Sequence, residues 1–154
     1  MGAVTAKTSV TRPNNTTAYS AGAVVGGAFV LPGMGNGSGI RLMLTSAQFE
    51  WDISALPTGA GNFTLYLYNK TPPSGYADGA AWDLPAGDRP FFLGSIALGI
   101  PADLGSTLYI EQNVINKQIY LNAADIYAYC VTGSGYTPAA STVQTFTLHG
   151  IILD

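Results

Sequence analysis

Alternation of apolar and polar residues is the dominant pattern along this chain. Between residues 62 and 68, Phe63, Leu65 and Leu67 alternate with more polar neighbours, which is the period of a half-buried β-strand. Similar runs recur at short spacing, and Gly, Pro and Asn separate them. They predict about eight to ten strands, at residues 4–11, 23–31, 40–52, 62–68, 91–98, 106–112, 114–121, 126–131 and 141–152. No segment keeps a helical period, so the sequence predicts an all-β, antiparallel sandwich.

The longest of these runs changes phase part of the way along. Ile40, Leu42 and Leu44 share one face, but Phe49 and Trp51 continue the alternation in the opposite phase after Ser46-Ala47. A single extra residue in one strand produces this shift, so we predict a β-bulge near residues 46–47.

Residues 69–90 form the longest connection in the chain. They begin with Pro72-Pro73 and Gly75, which end the preceding strand, and they include several Asp and aromatic residues. A loop this long is uncommon and is usually functional. We interpret it as a crossing connection, which favours a jelly roll over a simple meander.

The N-terminal residues have two interpretations. Residues 4–11 alternate small and polar residues with Val and Thr, as an edge strand does, but residues 1–17 also fit an extended arm that reaches a neighbour. The whole chain, residues 1–154, is predicted to be a single domain, because its length is sufficient for one core.

Charged residues are scarce, at 10% of the chain, whereas apolar residues make up 47%. A typical soluble protein has about 25% charged residues, so we expect a partner or further copies of the chain to cover part of the surface. Six Lys and Arg in total, with a net charge of −3, are too few for a stripe that binds nucleic acid. The apolar run at residues 21–31 is too short to span a membrane.

The sequence offers few candidates for catalysis. Cys130 is the only cysteine, and alternation places it beside Ile126 and Ala128 as a small buried residue. His149 is the only histidine and lies in the last predicted strand. We therefore expect no catalytic site, no cofactor and no resident metal, and we expect the protein not to be an enzyme.

Three carboxylates recur at five-residue intervals in the long loop: Asp78, Asp83 and Asp88. Such residues bind calcium in some proteins and act in pairs in glycoside hydrolases. They also commonly form turns, and Asp83 has a candidate salt-bridge partner in Arg89.

Aromatic residues in or beside the long loop are the stronger functional signal. They are Tyr66, Tyr68, Tyr76, Trp82, Phe91 and Phe92. Tyr and Trp are enriched in the energetically important centres of interfaces. Trp82 has three interpretations: it closes one end of the sandwich, it contacts a protein partner, or it stacks on a sugar ring. The predicted interface residues are Arg12, Tyr19, Tyr68, Tyr76, Trp82, Asp83 and Arg89.

Three segments carry a resemblance to a known family. They read VTRPNNTTAYSAGAVVGG near the N-terminus, LYLYNKTPPSGYADGAAWDLPAGDRPFFLGSIAL in the middle, and GYTPAASTVQTFTLHGIILD at the end. Together they are similar to small structural proteins of tailed bacteriophages. One departure is Ala23, which stands where these proteins commonly have Asp.

The resemblance implies a virion structural protein, most simply a jelly-roll decoration or cement protein that stabilises the capsid. In that role we expect the chain to bind the major capsid protein after synthesis in the host cytoplasm, and a homotrimer would suit local threefold positions of the capsid. The low content of Lys and Arg favours the capsid exterior and no contact to nucleic acid, and we expect no contact to a membrane. On this view, deletion of residues 1–17 would abolish attachment. The resemblance does not separate head from tail, so a tail or fibre component remains open. A carbohydrate-binding β-sandwich module is the alternative from another class.

Overall fold

The computed structural model describes residues 2–154. Its strands are β1 (Gly2–Thr11), β2 (Phe29–Leu31), β3 (Ile40–Trp51), β4 (Phe63–Tyr68), β5 (Phe92–Gly99), β6 (Ala102–Asp103), β7 (Leu108–Gln112), β8 (Lys117–Leu121), β9 (Ile126–Thr132) and β10 (Val143–Ile152). A single turn of 3-10 helix, Arg89–Phe91, precedes β5. Within the described residues, no helix has the length and apolar character needed to cross a membrane.

The strands form two sheets that enclose the main core. The first sheet has the order β1-β10-β3-β7-β6, with β8 paired to the other half of β3, and the second has the order β2-β9-β4-β5. All pairs are antiparallel. Successive strands mostly alternate between the two sheets, and the resulting strand order is that of the double Greek key of a jelly roll. The all-β, jelly-roll prediction is confirmed.

The long loop, residues 69–91, does not make the crossing that we expected of it. It joins β4 to β5, and these two strands are hydrogen-bonded neighbours in the second sheet. The jelly-roll order therefore comes from the other connections. The long loop instead folds back over the outer face of the second sheet, where part of it packs on β4 and β9.

The edge-strand interpretation of the N-terminus describes what the structure contains. β1 pairs with β10 along all ten of its residues without a register shift. Ala6 and Val10 on its inner face belong to the main core. Residues 2–11 therefore form a paired edge strand of this chain and not an extended arm. An arm that reaches a neighbour would have to break this pairing.

The phase change in β3 is a β-bulge, and the bulged residue is Thr45. His149 of β10 lies opposite Ser46, and the next residue, Gly150, lies opposite Leu44. The backbone N–H of Ile115, in the turn between β7 and β8, donates to the carbonyl of Thr45 at 3.1 Å. The carbonyl of the bulged residue therefore keeps a hydrogen-bond partner. Because of the bulge, Leu44 and Ala47 both point into the core.

The second predicted strand is shorter than expected. Only Phe29–Leu31 pairs with β9 as a strand, while Val24 makes an isolated bridge to Val131. Gly26 and Gly27 lie between them with φ of +84° and +82°, a backbone conformation that interrupts a strand and that glycine adopts at little cost.

Candidate interaction surfaces

A second, smaller hydrophobic core lies on the outer face of the second sheet. β4 contributes Tyr68, β9 contributes Tyr129 and Val131, and Val24 lies against them; all four side chains are buried. The long loop covers them with Tyr76, Trp82 and Leu84. We call this group and the loop residues over it the aromatic cluster.

Stacking on one ring and a hydrogen bond to another are the main side-chain contacts that fix Trp82 in the aromatic cluster. Its ring stacks on Tyr66 with centroids 3.6 Å apart and planes 14° apart. Its Nε1–H donates to the Tyr68 hydroxyl at 3.0 Å. One ring face and the polar edge of the indole are therefore used inside the chain. Burial raises the pKa of the Tyr68 hydroxyl to about 12, so this group stays a neutral acceptor.

Tyr129 joins the first turn of the long loop to β9. Its hydroxyl accepts a hydrogen bond from the backbone N–H of Tyr76 at 2.9 Å and lies 3.0 Å from the Ser74 hydroxyl. Asp88 holds the same turn from the other side, since one of its carboxylate oxygens accepts the Ser74 N–H at 2.9 Å. Asp88 is buried, so it acts as a turn-forming residue.

A buried polar triad ties the long loop to the N-terminal part of the chain. Arg12 Nε donates to the Tyr19 hydroxyl at 2.5 Å, and that hydroxyl donates to an Asp78 carboxylate oxygen at 2.5 Å. The same oxygen accepts the Gly26 N–H at 2.7 Å. Arg12 also donates to the Ala139 carbonyl at 2.6 Å. Burial raises the pKa of the Tyr19 hydroxyl above its ordinary value, which keeps it protonated as the donor to Asp78.

These contacts correct part of the predicted interface. Arg12, Tyr19 and Tyr68 are 2%, 5% and 0% exposed, so they stabilise the fold and do not reach a partner. The sequence could not show this, because Arg and Tyr are also common at interfaces.

The remaining predicted interface residues lie nearer the surface. Asp83 and Arg89 are exposed, and Tyr76 and Trp82 are half-buried. Among the ion pairs formed by residues 2–154, none joins Asp83 to Arg89; the pairs are Arg12–Asp78 at 3.9 Å and Arg41–Asp154 at 2.8 Å. In the described part of the chain, no group of three His, Cys, Asp or Glu side chains is placed to hold a metal ion.

The contribution of β9 to the aromatic cluster was not predicted from the sequence. Ile126, Ala128 and Cys130 face the main core, and Tyr129 and Val131 face the aromatic cluster. A strand buried on both faces reads as a nearly continuous apolar run, and residues 126–131 are such a run. This run therefore indicates that another segment covers the outer face of β9.

Within residues 2–154, no segment covers the outer face of the first sheet in this way. The outward residues of β1, which are Ala3, Thr5, Lys7, Ser9 and Thr11, are exposed. Along β10 and β3 the outward side chains are mostly short or uncharged and remain half-buried or exposed, apart from Thr147. His149 lies on this face and bonds through Nδ1 to the Thr5 hydroxyl at 2.9 Å, which assigns it a cross-strand structural contact.

An apolar patch lies at one end of this outer face. Ile151 of β10 lies opposite Met43 of β3, and Ala3 of β1 lies opposite Ile151. Ile151 is 37% exposed. Tyr120 of β8 is 61% exposed, but it lies opposite Arg41 and its ring extends toward Gly39. We call Ala3, Met43 and Ile151 the apolar patch.

No protein-family model matches the chain, and no curated protein matches it either. Among solved structures, the native virion of Kashmir bee virus at acidic pH is similar over 99% of this chain and 73% of that chain, with 15% identity and a TM-score of 0.33. A tobacco necrosis virus structure is similar over 99% of this chain and 98% of that chain, with 10% identity and a TM-score of 0.34. A rhinovirus-B5 structure is similar over 97% of this chain and 74% of that chain, with 15% identity and a TM-score of 0.33. These values are low, and the jelly-roll assignment depends on the strand order alone.

Proposed function

We propose that this chain is a structural protein of a bacteriophage virion, and specifically a decoration protein that binds the outer surface of the capsid and stabilises it. The observation that carries the proposal is the uncovered outer face of the first sheet with its apolar patch. The long loop covers the outer face of the second sheet over β4 and β9, and for this reason we assign the partner surface to the first sheet.

The composition of this face suits a protein partner. Interfaces combine an apolar centre with a polar rim, and here the outward positions of β1, β10 and β3 combine Thr, Ser and Gln with a few charged residues and with the apolar patch at one end. Lys7 and Arg41 are balanced by Glu50 and Glu111. Strand spacing and rise give the face an extent of roughly 30 Å by 15 Å, the scale of one side of a modest interface.

The resemblance to tailed-bacteriophage structural proteins supports the same proposal. Two of the segments that carry it meet in the fold, since Arg12 and Tyr19 of the first contact Asp78 of the second. These three residues therefore attach the long loop to the N-terminal part of the chain. Deletion of residues 1–17 is not a clean test of capsid attachment, because it would remove β1 and Arg12 and thereby disturb the fold.

A carbohydrate-binding module is less well supported. Stacking on a sugar needs an accessible aromatic face, but one face of Trp82 lies on Tyr66 and its N–H bonds Tyr68. A tail or fibre component would use the same fold at a much lower copy number.

The first test is the copy number of the chain in purified virions, measured by quantitative mass spectrometry against the major capsid protein. A ratio of one to one, or a simple fraction of it, supports a decoration protein. A few copies per particle would assign the chain to the tail, and its absence would overturn the virion role.

The second test addresses the binding face. Ile151→Glu, in the apolar patch, should lower occupancy on virions stripped of this chain at least tenfold. Val30→Glu is the matched control, because Val30 is equally exposed, at 37%, but lies on β2 in the other sheet. Equal occupancy for the two variants would overturn the assignment of the face.

A further inference from the structure

The free edge of β1 is a long hydrogen-bonding surface that the chain leaves open. β1 has ten residues and is the terminal strand of the first sheet, where it pairs with β10 on one side only. We propose that two copies of this protein associate through this edge, with β1 of one copy antiparallel to β1 of the second. The inference does not depend on the proposed virion role.

The register shows which backbone groups are free. Arg12 lies opposite Thr142 in continuation of the β1–β10 register, and its N–H donates to the Thr142 carbonyl at 2.9 Å. Val143, the next residue of β10, accepts instead from Asp52 after β3 at 3.2 Å. In an antiparallel strand the backbone N–H and C=O groups of successive residues point alternately to the two neighbouring strands. Because Arg12 points to β10, the N–H and C=O groups of the even-numbered residues of β1 also bond β10. The N–H and C=O groups of Ala3, Thr5, Lys7, Ser9 and Thr11 therefore point to the open edge.

The side chains leave this edge accessible. Thr5 bonds His149, and the Ser9 hydroxyl lies 2.9 Å from the Thr145 hydroxyl, so both side chains lean across the outer face toward β10. No backbone hydrogen bond outside the strand ladders joins residues 3, 5, 7, 9 or 11 to any other part of the described chain.

Natural proteins protect exposed edges with short strands, prolines, charges or bulges. Most other edges of this fold carry such features: β2 has three residues, β6 has two, and β5 has register shifts at both ends of its pairing with β4. The edge of β8, which pairs with β3 alone, is half as long as β1 and begins with the charged Lys117. β1 has no proline, no register shift and a single charged residue, Lys7. Within residues 2–154, β1 therefore forms a long and regular sheet edge without these protective features.

A second copy of β1 is complementary to this edge. An antiparallel pair with two-fold symmetry brings odd-numbered residues of both copies opposite each other, so that each pair exchanges two hydrogen bonds. A register with Lys7 opposite Lys7 is disfavoured by charge repulsion. In the two nearest alternative registers, Lys7 lies opposite Thr5 or opposite Ser9 of the second copy. Each of these registers retains up to about eight backbone hydrogen bonds between the two copies. A threefold ring would need β1 to pair with a different edge, and each of those edges is bulged or has at most half the length of β1.

The sharpest variant is Lys7→Pro. Proline removes the outward N–H of Lys7, which β10 does not use, and edge strands tolerate it at such positions. Lys7→Ala is the matched control, because it removes the same charge and keeps the N–H. We expect Lys7→Pro to raise the dimer dissociation constant at least tenfold in sedimentation equilibrium, since each dimer loses two hydrogen bonds. Lys7→Ala should bind as well as the wild type or better.

Amide hydrogen exchange of the wild-type protein tests the same edge without a substitution. At concentrations where the dimer forms, the amides of Thr5, Lys7 and Ser9 should be protected, and on dilution they should exchange fast while Ala6 and Thr8 stay protected. A monomer at all concentrations would overturn the inference. So would a dimer or trimer in which the amides of Thr5, Lys7 and Ser9 exchange fast.

Discussion

Trp82 Nε1 donates a 3.0 Å hydrogen bond to the hydroxyl of Tyr68, and this bond joins the long loop to the second sheet. The donor lies in the loop and the acceptor is a fully buried residue of β4. Together with the bonds of Tyr129 to Tyr76 and of Tyr19 to Asp78, this contact holds the long loop on the sandwich.

Replacement of Trp82 should therefore destabilise the protein. Trp82→Ala removes the stacking on Tyr66 and the bond to Tyr68, and we expect it to lower the free energy of unfolding by about 2–4 kcal/mol. Urea denaturation measures this loss. Limited proteolysis should show cleavage within residues 69–91 of the variant before the rest of the chain unfolds.

A double-mutant cycle isolates the hydrogen bond. Trp82→Phe and Tyr68→Phe each remove one partner, and their coupling energy should be about 1 kcal/mol. A coupling energy near zero would mean that the indole is held by stacking alone.

Asp78 should be far more sensitive to substitution than Asp83. Asp78→Ala removes the acceptor of the buried Tyr19 hydroxyl and the carboxylate that lies 3.9 Å from the buried Arg12 guanidinium, and loss of one partner of a buried charged group costs about 3–5 kcal/mol. Asp83 lies in the same loop but is exposed, so Asp83→Ala should change the free energy of unfolding by less than about 0.5 kcal/mol. Equal effects in thermal or urea unfolding would show that the triad contributes no special stability.

Local alternation predicted the strands well because each apolar face in this fold does pack on a core. The bulge in β3 was predicted within two residues, since Leu44 and Phe49 require opposite phases and only an extra residue reconciles them. The strand at residues 23–31 was predicted too long, because the backbone conformation of Gly26 and Gly27 prevents continuous pairing.

The placement of the long loop and of Arg12 could not be predicted from local pattern. Both depend on contacts between residues far apart in the chain, such as Tyr19 with Asp78. Alternation gives which residues share a face, and a continuous apolar run shows that both faces are covered, but neither pattern tells which segment provides the cover. For that reason Arg12, Tyr19 and Tyr68 were assigned to an interface when they are buried.

Cys130 should be unreactive in the folded protein. Its side chain is fully buried among core residues, and burial raises the pKa of the thiol well above its usual range. Because the thiolate is the reactive species, an aromatic disulfide reagent should modify Cys130 only as fast as the protein unfolds. Fast modification under native conditions, with one equivalent released, would contradict this burial.

Stability should fall at alkaline pH because of the buried tyrosines. Burial raises the pKa of Tyr68 from 10.0 to about 12 and also raises those of Tyr19 and Tyr136. A raised folded-state pKa contributes stability that is complete below the unfolded value and is lost as the pH rises toward the folded value. Between pH 10 and 12, Tyr68 alone should account for a loss of about 2–3 kcal/mol. Urea unfolding at a series of pH values, with tyrosinate absorbance followed in parallel, measures the effect, and Tyr68→Phe should show a shallower decline than the wild type even though it starts from a lower stability.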